Sequence, residues 1–140
     1  MYICTLLLTQ KLNKMNEEQL NNLTRQIIGF SFDVHTALGP GLLESAYKTC
    51  LFYKIQESGL YVEKEKPIPV VYKGVKLDCG YRIDLLIENQ LVLEIKSVES
   101  LSNLHLAQML TYLKLGNFEL GLLLNFNVLR MREGIKRVIN

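Results

Sequence analysis

The sequence predicts an α/β domain, a mixed sheet flanked by helices, on three observations. Apolar residues recur at helical spacing early in the chain. The middle breaks into short β-rich runs divided by Pro, Gly and Asn, and a further helical stretch then precedes a continuous apolar run. Leu20, Leu23, Ile27, Phe30 (or Ile28) and Val34 predict a helix from about Asn16 to Ala37. Asn16-Glu17-Glu18 forms its capped, acidic start, and Gly39-Pro40-Gly41 stops it. A second helix, from about Leu42 to Ser58, is expected to bury Leu43, Ala46, Cys50 and Leu51 or Tyr53, with Gly59 as its cap.

Strands are expected at Tyr61–Lys66, Ile68–Lys73, Val75–Cys79, Arg82–Ile87 and Leu91–Lys96, with a tight hairpin turn at Lys73-Gly74. Ser100 or Ser102 caps a third helix, Asn103–Leu115, which Gly116 ends. Leu120–Asn125 reads as a buried strand, Val128–Met131 as a candidate further strand, and the remainder as a short basic tail.

The chain has 140 residues, enough for one domain with a real core. Hydrophobic residues make up 49% and charged residues 21%, which excludes a disordered chain. A net charge of only +2 gives no strong footprint for nucleic acid, so such binding must come from local clustering of charge. Cys4, Cys50 and Cys79 are odd in number and far apart, imply neither zinc nor a disulfide framework, and read as small core residues in a reducing, cytoplasmic setting. The apolar run Ile3–Leu8 is too short to span a bilayer and lacks the flanks of a signal peptide. Residues 1–14 are therefore taken as an N-terminal extension to a single domain of residues 15–140, with no membrane partner.

The hairpin Arg82–Lys96 is the most informative segment. A two-residue turn at Asn89-Gln90 would pair Asp84 with Ile95 and push a carboxylate into the core. A three-residue loop, Glu88-Asn89-Gln90, instead pairs Ile83 with Ile95, Leu85 with Leu93 and Ile87 with Leu91. That register sets Asp84 opposite Glu94 and Arg82 opposite Lys96. Two carboxylates at about 5 Å repel by roughly 3 kcal/mol at an effective dielectric near 20. A cation between them or a proton on one relieves this, and oxygen ligands of this kind suit Mg²⁺ or Mn²⁺. Lys96, on the same face as Glu94, can then hold an attacking water beside a phosphate. A salt-bridge ladder of Arg82 and Asp84 with Glu94 and Lys96 fits the same spacing equally well.

Two helices add polar candidates. Glu44 and Tyr47 lie one turn apart at the start of the second helix, with Lys48 beside that face, although Glu44 is also a favourable acid near a helix N-terminus. His105, Gln108 and Tyr112 form a polar stripe on the third helix, opposite Leu106, Leu110 and Leu113. That stripe is equally the wet side of an ordinary surface helix.

Several spaced blocks resemble the GxxExxY proteins, a family grouped with the PD-(D/E)XK nucleases. They are Val34-His35, Leu38-Gly39-Pro40-Gly41-x-x-Glu44-x-x-Tyr47, Gly80-Tyr81-Arg82-x-Asp84-Leu85-Leu86 and Glu94-Ile95-Lys96. His105-x-x-Gln108-x-x-x-Tyr112, Gly121-Leu122-Leu123-x-Asn125-Phe126-Asn127 and Gly134-Ile135-Lys136-Arg137 follow in order. The resemblance runs from about residue 16 to the C-terminus and implies a PD-(D/E)XK nuclease-like fold.

It also implies site roles. Asp84 and Glu94 would be ligands for Mg²⁺ or Mn²⁺, with the Ile95 carbonyl a third and Glu44 the helical acid that completes the set. Lys96 would orient the attacking water and offset charge, and Gln108 would position phosphate or water, while His35, His105, Tyr47 and Tyr112 carry no assigned role. Ile83 stands where the superfamily pattern has Pro, and residues 1–14 have no counterpart in that family. Gathering three acids around Lys96 implies one carboxyl raised in pKa while its neighbour pairs with that lysine.

The implied function is a magnesium-dependent nuclease, a hydrolase of phosphodiester bonds acting on DNA in preference to RNA. A nuclease this small that cuts both strands often needs a second copy, which makes a homodimer a further candidate assembly. The alternatives are a catalytically silent nucleic-acid-binding or regulatory module on the same fold, and an interaction protein whose acidic pocket only fixes the fold.

Overall fold

A computed structural model describes residues 14–140. The expectation for the N-terminal extension, and for Cys4 as a core residue, therefore falls on residues outside the described ones, apart from Lys14. Lys14 pairs with Glu119 at 2.7 Å, and Met15 packs against the core.

Helix α1 (Glu17–Leu38) opens on a reciprocal capping box between Asn16 and Gln19 and ends where Gly39 adopts a φ of 68°. Helix α2 (Glu44–Glu57) follows after a short loop. Strands β1 (Val62–Pro67), β4 (Arg82–Ile87), β5 (Leu91–Lys96), β6 (Leu120–Asn125) and β7 (Ile135–Ile139) form one sheet in the order β1-β4-β5-β6-β7. Its pairs are antiparallel except β5–β6, which is parallel because α3 (Asn103–Gly116) supplies the crossover. Strands β2 (Val70–Tyr72) and β3 (Val75–Leu77) make a separate hairpin. Its two-residue turn, Lys73-Gly74, has both φ values positive, as expected from the sequence.

The sheet is buried on both faces. Leu85, Ile87, Leu91, Leu93, Ile95 and the even-numbered leucines of β6 meet α1 and α2 through Leu23, Ile27, Tyr47 and Leu51. On the other face Leu86, Val92 and Leu123 meet α3 through Met109 and Leu113. Two packed faces explain why β5 and β6 read as nearly continuous apolar runs rather than alternating ones.

Several expectations are corrected. Helix α2 buries Tyr47, Leu51 and Ile55, not Leu43, Cys50 or Tyr53. Leu43 is 77% exposed because it sits ahead of the helix in extended conformation, off the helical period. Cys50 and Cys79 are exposed, so neither is a core residue. Val128–Met131 is irregular and runs into a short 3₁₀ turn, Met131–Gly134, while the supposed basic tail is edge strand β7. Lys136 and Arg137 are exposed on that edge, where charge discourages further strand pairing. Among the described residues no helix is long and apolar enough to cross a membrane.

Candidate functional site

The β4–β5 ladder carries Ile87–Leu91, Leu86–Val92 and Leu85–Leu93, the pairs selected by hydrophobic register. The Glu88–Gln90 loop closes it with Glu88 and Asn89 at φ 53° and 55°, and the Gln90 N–H donates to the Ile87 carbonyl at 2.9 Å. One step beyond Leu85–Leu93, side chains take over from the backbone. The Asp84 N–H donates to Glu94 Oε1 at 3.2 Å, and the Ile95 N–H donates to Asp84 Oδ2 at 2.8 Å. Each carboxylate thus accepts an amide from the opposite strand, satisfying donors that the divergence of β4 from β5 would otherwise orphan.

The divergence also corrects the expected Ile83–Ile95 pair. Ile83 packs with Leu86 on the α3 side, whereas Leu85 and Ile87 face α1 and α2, so side-chain alternation breaks at Asp84. Neighbouring Glu65 of β1 lies between the partners of Leu85 and Ile83 and has a left-handed φ of 55°, an unfavourable conformation for a residue with a Cβ.

The two acids differ in environment. Glu94 is only 5% exposed, and burial, reinforced by the charge of Asp84, raises its pKa to about 8. The amide of Asp84 and the ammonium of Lys96 oppose that rise without cancelling it. Glu94 is therefore the acid of the pair whose environment favours the protonated form. Asp84 is half-buried, and the cation beside it is Lys48 of α2, whose Nζ lies 3.6 Å from Oδ1 and 3.2 Å from Glu65 Oε1. Burial pulls the Lys48 pKa down, but Asp84 and Glu65 together hold it above its ordinary value. The sequence predicts Lys96 as the partner of the ionised acid. Among the described residues Lys96 forms no ion pair and acts on Glu94 only through its field.

The remaining candidates sit around this pair rather than on it. Glu44 is the first residue of α2, and its Oε1 lies 3.4 Å from the Ser97 N–H just past β5. It lines a shallow groove with Lys48 and Ser97. Gln108 donates from Nε2 to the Tyr112 hydroxyl at 3.1 Å. Tyr112 has its pKa raised by burial and then by the charges of Glu94 and Asp84. Among the described residues the side-chain partner of Gln108 is Tyr112, not either acid. The Ile95 side chain is buried on the α1/α2 face, and its amide is the one that holds Asp84. Among the described residues no group of three or more His, Cys, Asp or Glu side chains is placed to hold a metal.

Of four residues without an assigned role, Tyr47 and His35 brace the surrounding loops, while His105 and Tyr112 bond within α3 and its cap. The buried Tyr47 stacks on Phe126 with ring centroids 4.6 Å apart. Its hydroxyl donates to the Gly39 carbonyl at 2.5 Å and accepts from the Leu42 N–H at 3.1 Å. His35 Nε2 lies 2.7 Å from the Val128 carbonyl, tying α1 to the segment after β6. His105 accepts the Ser102 amide at Nδ1 in the capping box of α3, and Tyr112 takes the Gln108 amide. Sequence reasoning passed over Lys48 and Glu65 as site residues. Glu44 and Lys48 are four apart on one helix, so placing the first at the site brings the second with it.

Comparison with known proteins gives one family. No curated protein matches the chain, and no solved structure matches it. The model of one family matches residues 21–138, which takes in most of α1, the whole of α2, the Asp84–Glu94 hairpin, Lys96 and the whole of α3. On that span the chain belongs to the PD-(D/E)XK nuclease superfamily.

Proposed function

We propose that the chain is a Mg²⁺- or Mn²⁺-dependent phosphodiesterase that hydrolyses nucleic acid, DNA in preference to RNA. The observation that carries this reading is the reciprocal amide–carboxylate clasp of Asp84 and Glu94, with Lys96 two residues along β5. The donor chemistry fits a hard divalent cation. One oxygen of each acid is engaged by backbone, while Asp84 Oδ1 already faces a cation, the Lys48 ammonium. Burying like charges together makes this pair unfavourable when both are ionised, which a dication corrects.

Asp84 and Glu94 would hold the ion, with the Ile95 carbonyl and Glu44 as further ligands. Bound there, it would act as a Lewis acid on a phosphoryl oxygen. Lys96 orients the attacking water and offsets charge developing on phosphorus. Gln108, anchored by Tyr112, positions phosphate or water.

The test is cleavage of single-stranded, duplex and branched DNA, and of RNA, in Mn²⁺. Wild type should cut at least one DNA substrate, and Asp84→Asn and Lys96→Ala should each lose about a hundredfold or more in rate while keeping a wild-type melt. Cleavage that persists in both variants would refute the assignment.

One observation favours a second reading, binding of nucleic acid without turnover. Glu44 is engaged with Ser97, and Lys48 rather than a third acid stands at Asp84. Calorimetric titration separates the two. If Lys48 holds the cation position, Lys48→Met should bind Mn²⁺ about tenfold more tightly than wild type, because a nearby positive charge has gone. Equal or weaker binding would mean that Lys48 supports the acids instead of competing for them.

A further inference from the structure

One flank of α3, with Leu104, Gln108, Thr111 and Leu115 at helical spacing, lines a groove of about 570 Å³. The opposite wall is Val70, from the β2–β3 hairpin, and Tyr81 at the start of β4. Among the described residues no Asp, Glu, Lys or Arg lines the groove. Its polar groups are neutral and include a complementary pair. His105 accepts at Nδ1, which leaves an N–H at Nε2, and Gln108 donates to Tyr112, which leaves its amide oxygen. An apolar groove that presents neutral donors and acceptors suits the face and edge of a nucleobase better than a phosphate or a metal, since it brings no charge to either.

Tyr112 places the groove beside the acids. Its ring meets Tyr81 edge-on at 6.0 Å in the groove wall and packs in the same buried cluster as Ile83, the residue before Asp84. The groove therefore adjoins the sheet face on which Ile83 precedes Asp84 in β4 and Val92 lies two residues before Glu94 in β5. The hairpin that supplies Val70 also carries Lys73 and Lys76, cations suited to a phosphate backbone running past the slot.

We infer that this groove binds an unpaired nucleobase next to the bond to be cut, so that the substrate is single-stranded nucleic acid or a strand freed at a junction or end. The inference rests on the nucleic-acid reading above and adds its substrate class. A base paired in continuous duplex cannot lie between Tyr81 and α3 without first leaving the stack.

Binding without metal tests it. A short single-stranded oligodeoxynucleotide containing 2-aminopurine is titrated in EDTA with wild type, Tyr81→Ala and Leu104→Ala, alongside the same sequence as a duplex. Leu104 is 78% exposed, so its replacement leaves the fold intact even if loss of Tyr81 disturbs Tyr112. Wild type should quench the probe and bind strand at least about tenfold more tightly than duplex, and Tyr81→Ala should cost about tenfold on the strand alone. Leu104→Ala should weaken strand binding in the same sense.

Equal affinity for strand and duplex, or strand binding untouched by both variants, overturns the proposal. So does a wild-type dimer that Tyr81→Ala dissociates with no strand bound, since the groove would then be a contact between copies. Asp84→Asn and Lys96→Ala must still bind the strand. A chain that binds strand but never cuts sinks the phosphodiesterase reading and leaves the groove standing, whereas cleavage of duplex without strand binding does the reverse.

Discussion

Glu94→Gln should be more stable than wild type at pH 9 without metal, by an amount of the order of 4 kcal/mol. The Glu94 carboxyl has a folded pKa of about 8 against an ordinary 4.5. Between those values the folded chain keeps a proton that the unfolded chain releases. Native stability therefore falls as pH rises through this window, and the loss is complete above about pH 8. Glutamine has no such proton, keeps an oxygen to accept the Asp84 amide, and should give a flat profile over the same range. Below about pH 4.5 the two proteins should converge, because Glu94 is then protonated folded or unfolded. Urea melts across the range give both curves. Parallel curves would mean that Glu94 ionises normally in the folded protein. Millimolar Mn²⁺ should raise the wild-type melt at alkaline pH, where it supplies the missing counter-charge, and should do much less for the variant.

The second large effect is expected at Tyr47. Its ring is fully buried against Phe126, and its hydroxyl is shared between the Gly39 carbonyl and the Leu42 N–H. Tyr47→Ala should cost about 3–5 kcal/mol through the cavity left under Phe126. Tyr47→Phe keeps the stacking and leaves both backbone groups without that partner, for a cost of about 1–3 kcal/mol. Denaturation at neutral pH measures both. A Phe variant as stable as wild type would mean that water serves the loop equally well. The loop in question carries Glu44 at its end, and the Ser97 hydroxyl donates to the Leu42 carbonyl at 2.6 Å, so slackening it also loosens the turn after Lys96.

What could be read from the sequence tracks how local the deciding interaction is. Hydrophobic alternation in Arg82–Ile87 and Leu91–Lys96 has one register that buries every leucine and isoleucine near the turn, and that register is found. It misleads beyond Leu85–Leu93, where the expected Asp84–Glu94, Ile83–Ile95 and Arg82–Lys96 pairs drop out of the ladder because the strands part where the two acids take the amides. No rule of alternation contains that event. Helix α2 was harder, since apolar residues occur on several of its sides and its buried face is chosen by Phe126 and the Gly39 carbonyl, distant in the chain or outside the helix. Strand β7 hides behind Lys136 and Arg137, whose charge reads as a tail when the pairing partner Leu120–Leu124 is out of view. At the site, the closeness of Asp84 and Glu94 is legible from the hairpin register. The cation at Asp84 is not, because Lys48 reaches it across the gap between helix and sheet.

The clasp between β4 and β5 bears on how a cation would be received. A carboxylate on an exposed chain samples many rotamers, and an ion that gathers two of them must offset the lost freedom of both side chains. Here the Asp84 carboxylate is oriented by the Ile95 amide and the Glu94 carboxylate by the Asp84 amide. Those bonds form with the sheet itself. The arrangement of the two acids is thus fixed when the strands pair, and an arriving ion meets donors whose ordering folding has already completed.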